Sequence, residues 1–341
     1  MSLAWPSGNT YLATRIAVMA GRLLRDEQIA ALLSAPLETL GREFGISELL
    51  AQGYAQGRIN RAVERAMVQT LMGELEVLLR PLPAAGREML IFWLRKFELY
   101  NLKALIRGKI QGQSPELIGH NLLELPGRIG LPHERLLRTE NIPELLRLLE
   151  DGPYGGIARQ ARQVYEKMNE SFSLDATIDL HYYMGLVKRA QGGDAGERNP
   201  LLRLVRLLID QQNLTWLLRY RFSYHLSPSR TFYLLVPQGL HLHREQLKAL
   251  VNLDSLEQVV LELPEVYGRP LEGVTSLLDA QRVLDRVTAR EVRTFLRFSS
   301  SAVARSLAYL VLREGDLLKI RAILQGRVLK LDEALIRCAL E

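Results

Sequence analysis

The sequence predicts an all-α protein made of three similar helical units, and two observations predict it. Leu, Ala, Arg and Glu dominate while β-branched runs are scarce, a composition that favours helix almost throughout. One helical signature is also written three times, as ELYNLKALIRGK over 98–109, DQQNLTWLLRYR over 210–221 and DLLKIRAILQGR over 316–327. The offset is 112 residues from Asn101 to Asn213 and 106 from Asn213 to Lys319, so three copies nearly tile the 341 residues. The most strand-like pieces, Val259-Val260-Leu261 and Tyr233 to Val236, do not alternate cleanly and leave the all-helical expectation in place.

Further landmarks keep the same rhythm along the chain. Glu64, Asp175 and Asp279 precede or enter long amphipathic stretches at offsets of 111 and 104 residues. Asn141-x-x-Glu144 has the form of a helix-starting capping box and leads through an apolar run to Tyr154-Gly155. Asp254-x-x-Glu257 leads likewise to Tyr267-Gly268, and both landmarks are displaced by 113 residues. Ser34, Pro36 and Phe44-Gly45 give a shorter version near the N-terminus. Joints are expected at Arg80-Pro81-Leu82-Pro83, from Gly108 to Pro115, at Gly192-Gly193-Asp194-Ala195-Gly196 and at Ser227-Pro228-Ser229. Gly192 to Pro200 reads as a mobile loop inside the second unit. Two joints lie just after a signature helix, so the expected helical repeat domains are 1–112, 113–226 and 227–341, each closed by its signature.

Within the signature, Leu102, Leu105 and Ile106 match Leu214, Leu217 and Leu218, then Ile320, Ile323 and Leu324, the i, i+3, i+4 spacing of one buried stripe. The opening acids Glu98, Asp210 and Asp316 share that stripe with Asn101, Asn213 and, in the third copy, Lys319. An acid and an amide three residues apart are neighbours on a helix face and can hydrogen-bond. The closing bases Lys109, Arg221 and Arg327 follow the acids by eleven residues. That is about 16 Å along a helix, so acid and base of one copy cannot meet. Two readings remain open: a ring of polar pairs between repeats, or bases that snorkel at helix ends. These nine residues are the candidate interface or inter-repeat polar contacts.

The chain is basic, with a formal net charge of +6 and a pI near 9.4, and its arginines are spread along most helices. Such a surface can meet nucleic acid, anionic lipid or an acidic protein. With no RNA-binding aromatic motif, zinc spacing or polybasic cluster, nucleic acid is not an expected partner. No apolar stretch approaches the ~20 residues that span a bilayer, and no basic segment precedes a hydrophobic one at the N-terminus, so a cytoplasmic protein is expected. Cys338 stands alone and reads as a packing residue. Neither GxxxxGK[ST] nor GxGxxG occurs, and His241 with His243 lacks a third ligand at useful spacing. His181, two residues after Asp179, reads as structural, Glu262 with Glu265 as a solvated face, and Ser299-Ser300-Ser301 as a helix break. No catalytic, cofactor-binding or metal-binding residue is assigned.

Tyr11-Leu12-Ala13-Thr14-Arg15-Ile16, the stretches 97–109 and 209–221 and the closing REGDLLKIRAILQGR (313–327) together resemble the C subunit, also called the d subunit, of V-type and archaeal-type rotary ATPases. The resemblance covers almost the whole chain. It implies a funnel of three similar helical domains around a pseudo-threefold axis and a non-catalytic role in the central stalk. The expected partners are the membrane proteolipid ring and the central shaft subunits, with one copy per complex, peripheral on the cytoplasmic face. Torque would pass through it between ion or proton transport and ATP chemistry carried by other subunits. Lys319 in place of Asn, and Gln325 in place of Arg, depart from a strict threefold polar pattern. The alternative is an independent all-helical adaptor that binds a peptide or protein.

Overall fold

The computed structural model describes residues 8–43, 47, 56–125, 130–168, 171–193 and 195–340. Among them are 18 helices and no strand, with one isolated antiparallel bridge between Gln238 and His243. Three short helices come first, α1 (Gly8–Ala20), α2 (Asp26–Ser34) and α3 (Leu37–Glu43), followed by a long pair, α4 (Gln56–Leu79) and α5 (Ala84–Ile110). The next short set is α6 (Pro115–His120), α7 (His133–Leu137), α8 (Ile142–Glu150) and α9 (Gly155–Met168), before a second long pair, α10 (Ser171–Gln191) and α11 (Ala195–Leu218). A third short set, α12 (Pro228–Leu234), α13 (Arg244–Leu250), α14 (Leu256–Glu262) and α15 (Glu265–Leu271), leads to the third long pair, α16 (Leu277–Phe298) and α17 (Ala302–Val328). Helix α18 (Glu333–Leu340) ends the chain. Each signature copy thus lies on the second helix of a long pair.

The chain divides into two compact units. One comprises Met1–Leu90, Leu123–Leu125 and Val292–Glu341. In it α17 packs against α1, α2, α3, α4 and α18, and its residues Leu307, Ala308, Tyr309 and Leu310 are fully buried. Glu74 of α4 is buried there because it is paired: the Tyr309 hydroxyl donates to it at 2.7 Å and Arg313 Nε at 3.2 Å. The other unit comprises Ile91–Leu122 and Pro126–Glu291, with α8, α9, α10 and α11 packed in succession. Ile142, Leu145, Leu146 and Leu149 form the buried stripe of α8 at helical spacing.

Local chemistry explains where these helices start. Asn141 accepts from Glu144 N at 2.9 Å, the cap read from the sequence, while Glu144 accepts at 2.7 Å from Glu140 N, one residue before the cap rather than from the cap itself. The matching box in the third repeat is displaced by one residue. Ser255, not Asp254, accepts from Gln258 N, and Gln258 accepts from Asp254 N at 3.0 Å. Ser114 and Ser227 cap α6 and α12, each with proline at the next position, and Ser301 caps α17. The strand-like piece Val259 to Leu261 lies in α14, as the all-helical expectation requires. Two expectations fail. Gly192 to Pro200 is not one loop, because α11 begins at Ala195 and carries Pro200 inside it. Cys338 is exposed on α18 rather than packed. Phe44-Gly45 and Asp194 lie outside the described residues.

The signature helices also share an end that the sequence pattern had not shown. Gly112, His225 and Lys330 take left-handed backbone angles, φ 64°, 52° and 56°, just past the three bases. Gln113 N then donates to Gly108 O at 2.9 Å, and Leu331 N to Gly326 O at 2.9 Å, closing a Schellman-type end. The second copy carries one extra residue between base and left-handed position. A single wide turn, Arg219–Ser223, absorbs it, with Tyr224 N on Arg219 O at 2.9 Å. A further swap accompanies it. A Cβ on Gly108 would lie 2.5 Å from Ile118, and one on Gly326 would lie 2.5 Å from Ile336, whereas the second copy has Tyr220 and Thr231 at the matching places.

Candidate functional site

The polar residues of the second and third signature copies act on a short helix, α13 and α2 respectively. On α11, Asp210 is completely buried and accepts from His241 N at 2.7 Å and Leu242 N at 3.1 Å, with the Tyr267 hydroxyl donating at 3.2 Å. Those amides precede α13. At the other end of the signature, Arg221 donates to Leu226 O at 2.8 Å and to Leu253 O at 3.2 Å, beyond the end of α13, and meets Asp254 at 3.4 Å. Asn213 fixes the chain entering this region, donating to Val236 O at 2.8 Å and accepting from Val236 N at 2.9 Å. Gly239 is required here, because a Cβ would overlap the Asp210 carboxylate.

The third copy repeats the arrangement on residues from the other end of the chain. Asp316 accepts from Leu24 N at 2.8 Å, before α2, and Arg327 donates to Leu33 O at 3.1 Å and Ala35 O at 3.2 Å, at the end of α2. Lys319 replaces the amide and lowers the pKa of Asp316 by its charge, against the larger upward push of burial. In the first copy Lys109 donates to Leu137 O at 3.0 Å and Thr139 O at 2.5 Å, at the end of α7. Burial lowers the Lys109 pKa and Glu144 partly restores it. Asn101 lies 3.4 Å from the His133 ring nitrogen. Glu98 is buried, yet its Oε2 has no hydrogen-bond partner among the described residues, and the Arg95 Nε is 4.0 Å away.

This geometry explains the spacing of eleven. A helix of nine residues such as α2 is about 13 Å long, so a signature with acid and base about 16 Å apart can hold both of its ends. In the second and third copies the acid faces the positive end of the short helix dipole and the base faces carbonyls at its other end, which favours both placements. The long helices carry a second set of contacts, each between one long pair and another. Lys103 and Arg107 of α5 pair with Asp179 at 2.7 Å and Asp175 at 2.9 Å on α10, and Gln211 of α11 donates to Asp285 on α16 at 2.5 Å. Arg321 of α17 pairs with Glu64 on α4 at 2.8 Å. Of the landmark acids, Asp279 does not join this set; it stays local, beside Ser276 and Arg282.

Sequence reasoning named the nine polar residues but not their partners, because amides and carbonyls are anonymous in a sequence. His241, read as half of a histidine pair, enters through its backbone N–H. Tyr154 and Tyr267 were landmarks whose hydroxyls had no assigned use; burial raises the Tyr267 pKa, with Asp210 adding to it.

The profile of the family described as ATP synthase (C/AC39) subunit matches residues 12–338 of the chain. The chain belongs to this family. It is 24% identical to the A-type ATP synthase C subunit of Methanosarcina barkeri over 97% of the chain and 92% of that protein. The corresponding C subunit of Methanothermobacter thermautotrophicus is 26% identical over 93% of the chain and 83% of its own length. That of Pyrococcus horikoshii is 24% identical over 92% and 85%. The family is that of a structural, non-catalytic component of a rotary ATP synthase. Among the described residues no helix is long and apolar enough to cross a membrane.

Proposed function

We propose that this chain is the connector of the central stalk, joining the shaft subunits to the membrane proteolipid ring and turning with both. In this reading it passes torque between ATP chemistry and ion flow, sits on the cytoplasmic face as a peripheral protein, and is present once per complex. We further propose three repeat domains, 1–112, 113–226 and 227–341, arranged as a funnel about a pseudo-threefold axis.

One observation carries the reading. Each signature grips a short helix that belongs to the next repeat by sequence, and the third grips α2, at the start of the first. Repeats joined in this way, in the second and third copies at both ends of the gripped helix, resist sliding and twisting, which is what transmission of torque demands. A net charge of +6 suits acidic loops on a ring or shaft. The test is capture of the tagged chain from detergent-solubilised membranes of its source. Proteolipid and shaft subunits should be recovered together at one copy of the chain per complex by native mass spectrometry. Recovery of neither would overturn the connector and leave the independent adaptor.

A further inference from the structure

The first and second signature copies place the same groups in the same order but connect them differently. Tyr154 and Tyr267 are both buried, each next to a glycine and 113 residues apart, while Glu98 and Asp210 stand 112 apart. In the second copy the Tyr267 hydroxyl donates to Asp210 at 3.2 Å and two amides complete the site. In the first copy the Tyr154 hydroxyl, the Glu98 Oε2 and the Arg95 Nε are all buried and have no hydrogen-bond partner among the described residues. Arg95 is near both of the others: its Nε is 4.0 Å from Glu98 Oε2, and its guanidinium lies 5.4 Å from the Tyr154 ring centre. Two donors and one acceptor are thus left unjoined around one guanidinium. A buried neutral carboxyl tolerates the open arrangement, whereas a buried carboxylate does not.

We infer that Glu98 and Tyr154 form a proton-gated latch: it stands open while Glu98 is neutral, and ionisation draws the Tyr154 hydroxyl and Arg95 onto the carboxylate as Tyr267 is held on Asp210. The proton leaves to solvent. Two further titratable or charged groups lie near this region among the described residues: His133 of α7, beside Asn101, and Arg189 of α10, whose guanidinium shares the Phe92 ring with Arg95. Burial lowers the His133 pKa, so that ring is neutral when the latch moves. Burial also pushes Glu98 up to about 8, with Arg95 pulling the other way, which places the transition at the alkaline edge of neutrality.

The test is a carbon NMR titration of the full chain labelled at the glutamate side-chain carboxyls, with Glu98→Gln to assign the resonance. One carboxyl signal, missing from the variant, should titrate near pH 8, and Tyr154→Phe should raise its midpoint by removing a donor to the ionised form. The melting temperature lost by Tyr154→Phe should grow with pH between roughly pH 6 and pH 9, whereas a packing role would cost the same throughout. A Glu98 signal titrating in the ordinary range near about 4.3, or a Tyr154→Phe variant that leaves the midpoint unmoved, overturns the latch. Should Glu98→Gln fail to fold, the signal whose midpoint Tyr154→Phe shifts identifies Glu98; if that variant shifts no signal, the latch is likewise overturned.

Discussion

Asp210 and Glu98 occupy the same place in two signature helices, in the same compact unit, and one is saturated while the other is not. Both are buried, so desolvation raises both pKa values, and the difference lies in what opposes it. Asp210 is answered by the amides of His241 and Leu242, by His241 charge and by Tyr267; Glu98 is answered by the charge of Arg95. A buried carboxylate becomes structural where enough donors converge on it, and at Asp210 two of them are backbone amides. The longer glutamate side chain does not find that set of donors.

Asp210→Ala should therefore produce the largest effect. It leaves two amides and a tyrosine hydroxyl buried without their acceptor, at roughly 1–3 kcal/mol each before relaxation. The expected loss is about 3–5 kcal/mol in denaturant unfolding, and a loss under about 1 kcal/mol would break the contrast with Glu98. Arg221→Met probes the other end of the same grip and should cost about 2–3 kcal/mol, since charge-assisted bonds to Leu226 O and Leu253 O disappear.

Glu98→Gln should act in the opposite direction and only above acid pH. The native carboxyl holds its proton up to about 8, while the unfolded chain sheds it near about 4.3. Between these values the native state binds more protons, so the wild-type chain loses stability as pH rises, and levels off above the folded value. The slope is at most about 1.4 kcal/mol per pH unit inside that window. Glu98→Gln should flatten it, so that the variant gains on the wild type from acid to neutral pH in melting experiments. Parallel curves would remove the distinction between the two sites.

The all-helical fold was legible because composition and the i, i+3, i+4 stripe are properties of side chains. Asn141 and Glu144 were legible as a cap for the same reason, and Ser255 was missed because Asp254 offered an equally good residue one place earlier. The site was half legible. Polar residues on a buried stripe announced that partners existed, but Leu24 N, Leu253 O and Thr139 O carry no mark in the sequence. The use of α2 by the third copy could not be read locally, because nearly three hundred residues separate Arg327 from Leu33. The extra residue behind the wide turn at Arg219–Ser223 was visible in principle, as a base-to-serine spacing one longer in the second copy than in the first.

The smallest expected effect sharpens the comparison at the helix ends. Gly108 and Gly326 leave room for Ile118 and Ile336, while the second copy exchanges sizes and sets Tyr220 against Thr231. If these are packing partners, Gly108→Ala drives its Cβ into Ile118 and should cost about 1–3 kcal/mol, though alanine favours the helix by roughly 1 kcal/mol. Ile118→Ala alone opens a cavity and costs about 2–4 kcal/mol. The double variant should recover part of the sum, because the new methyl occupies space the isoleucine vacated, giving a coupling of at least about 0.5 kcal/mol. Additive losses would mean that the glycine serves the close of the helix, where Gln113 N meets Gly108 O, and that the exchange of sizes in the second copy is unrelated to it.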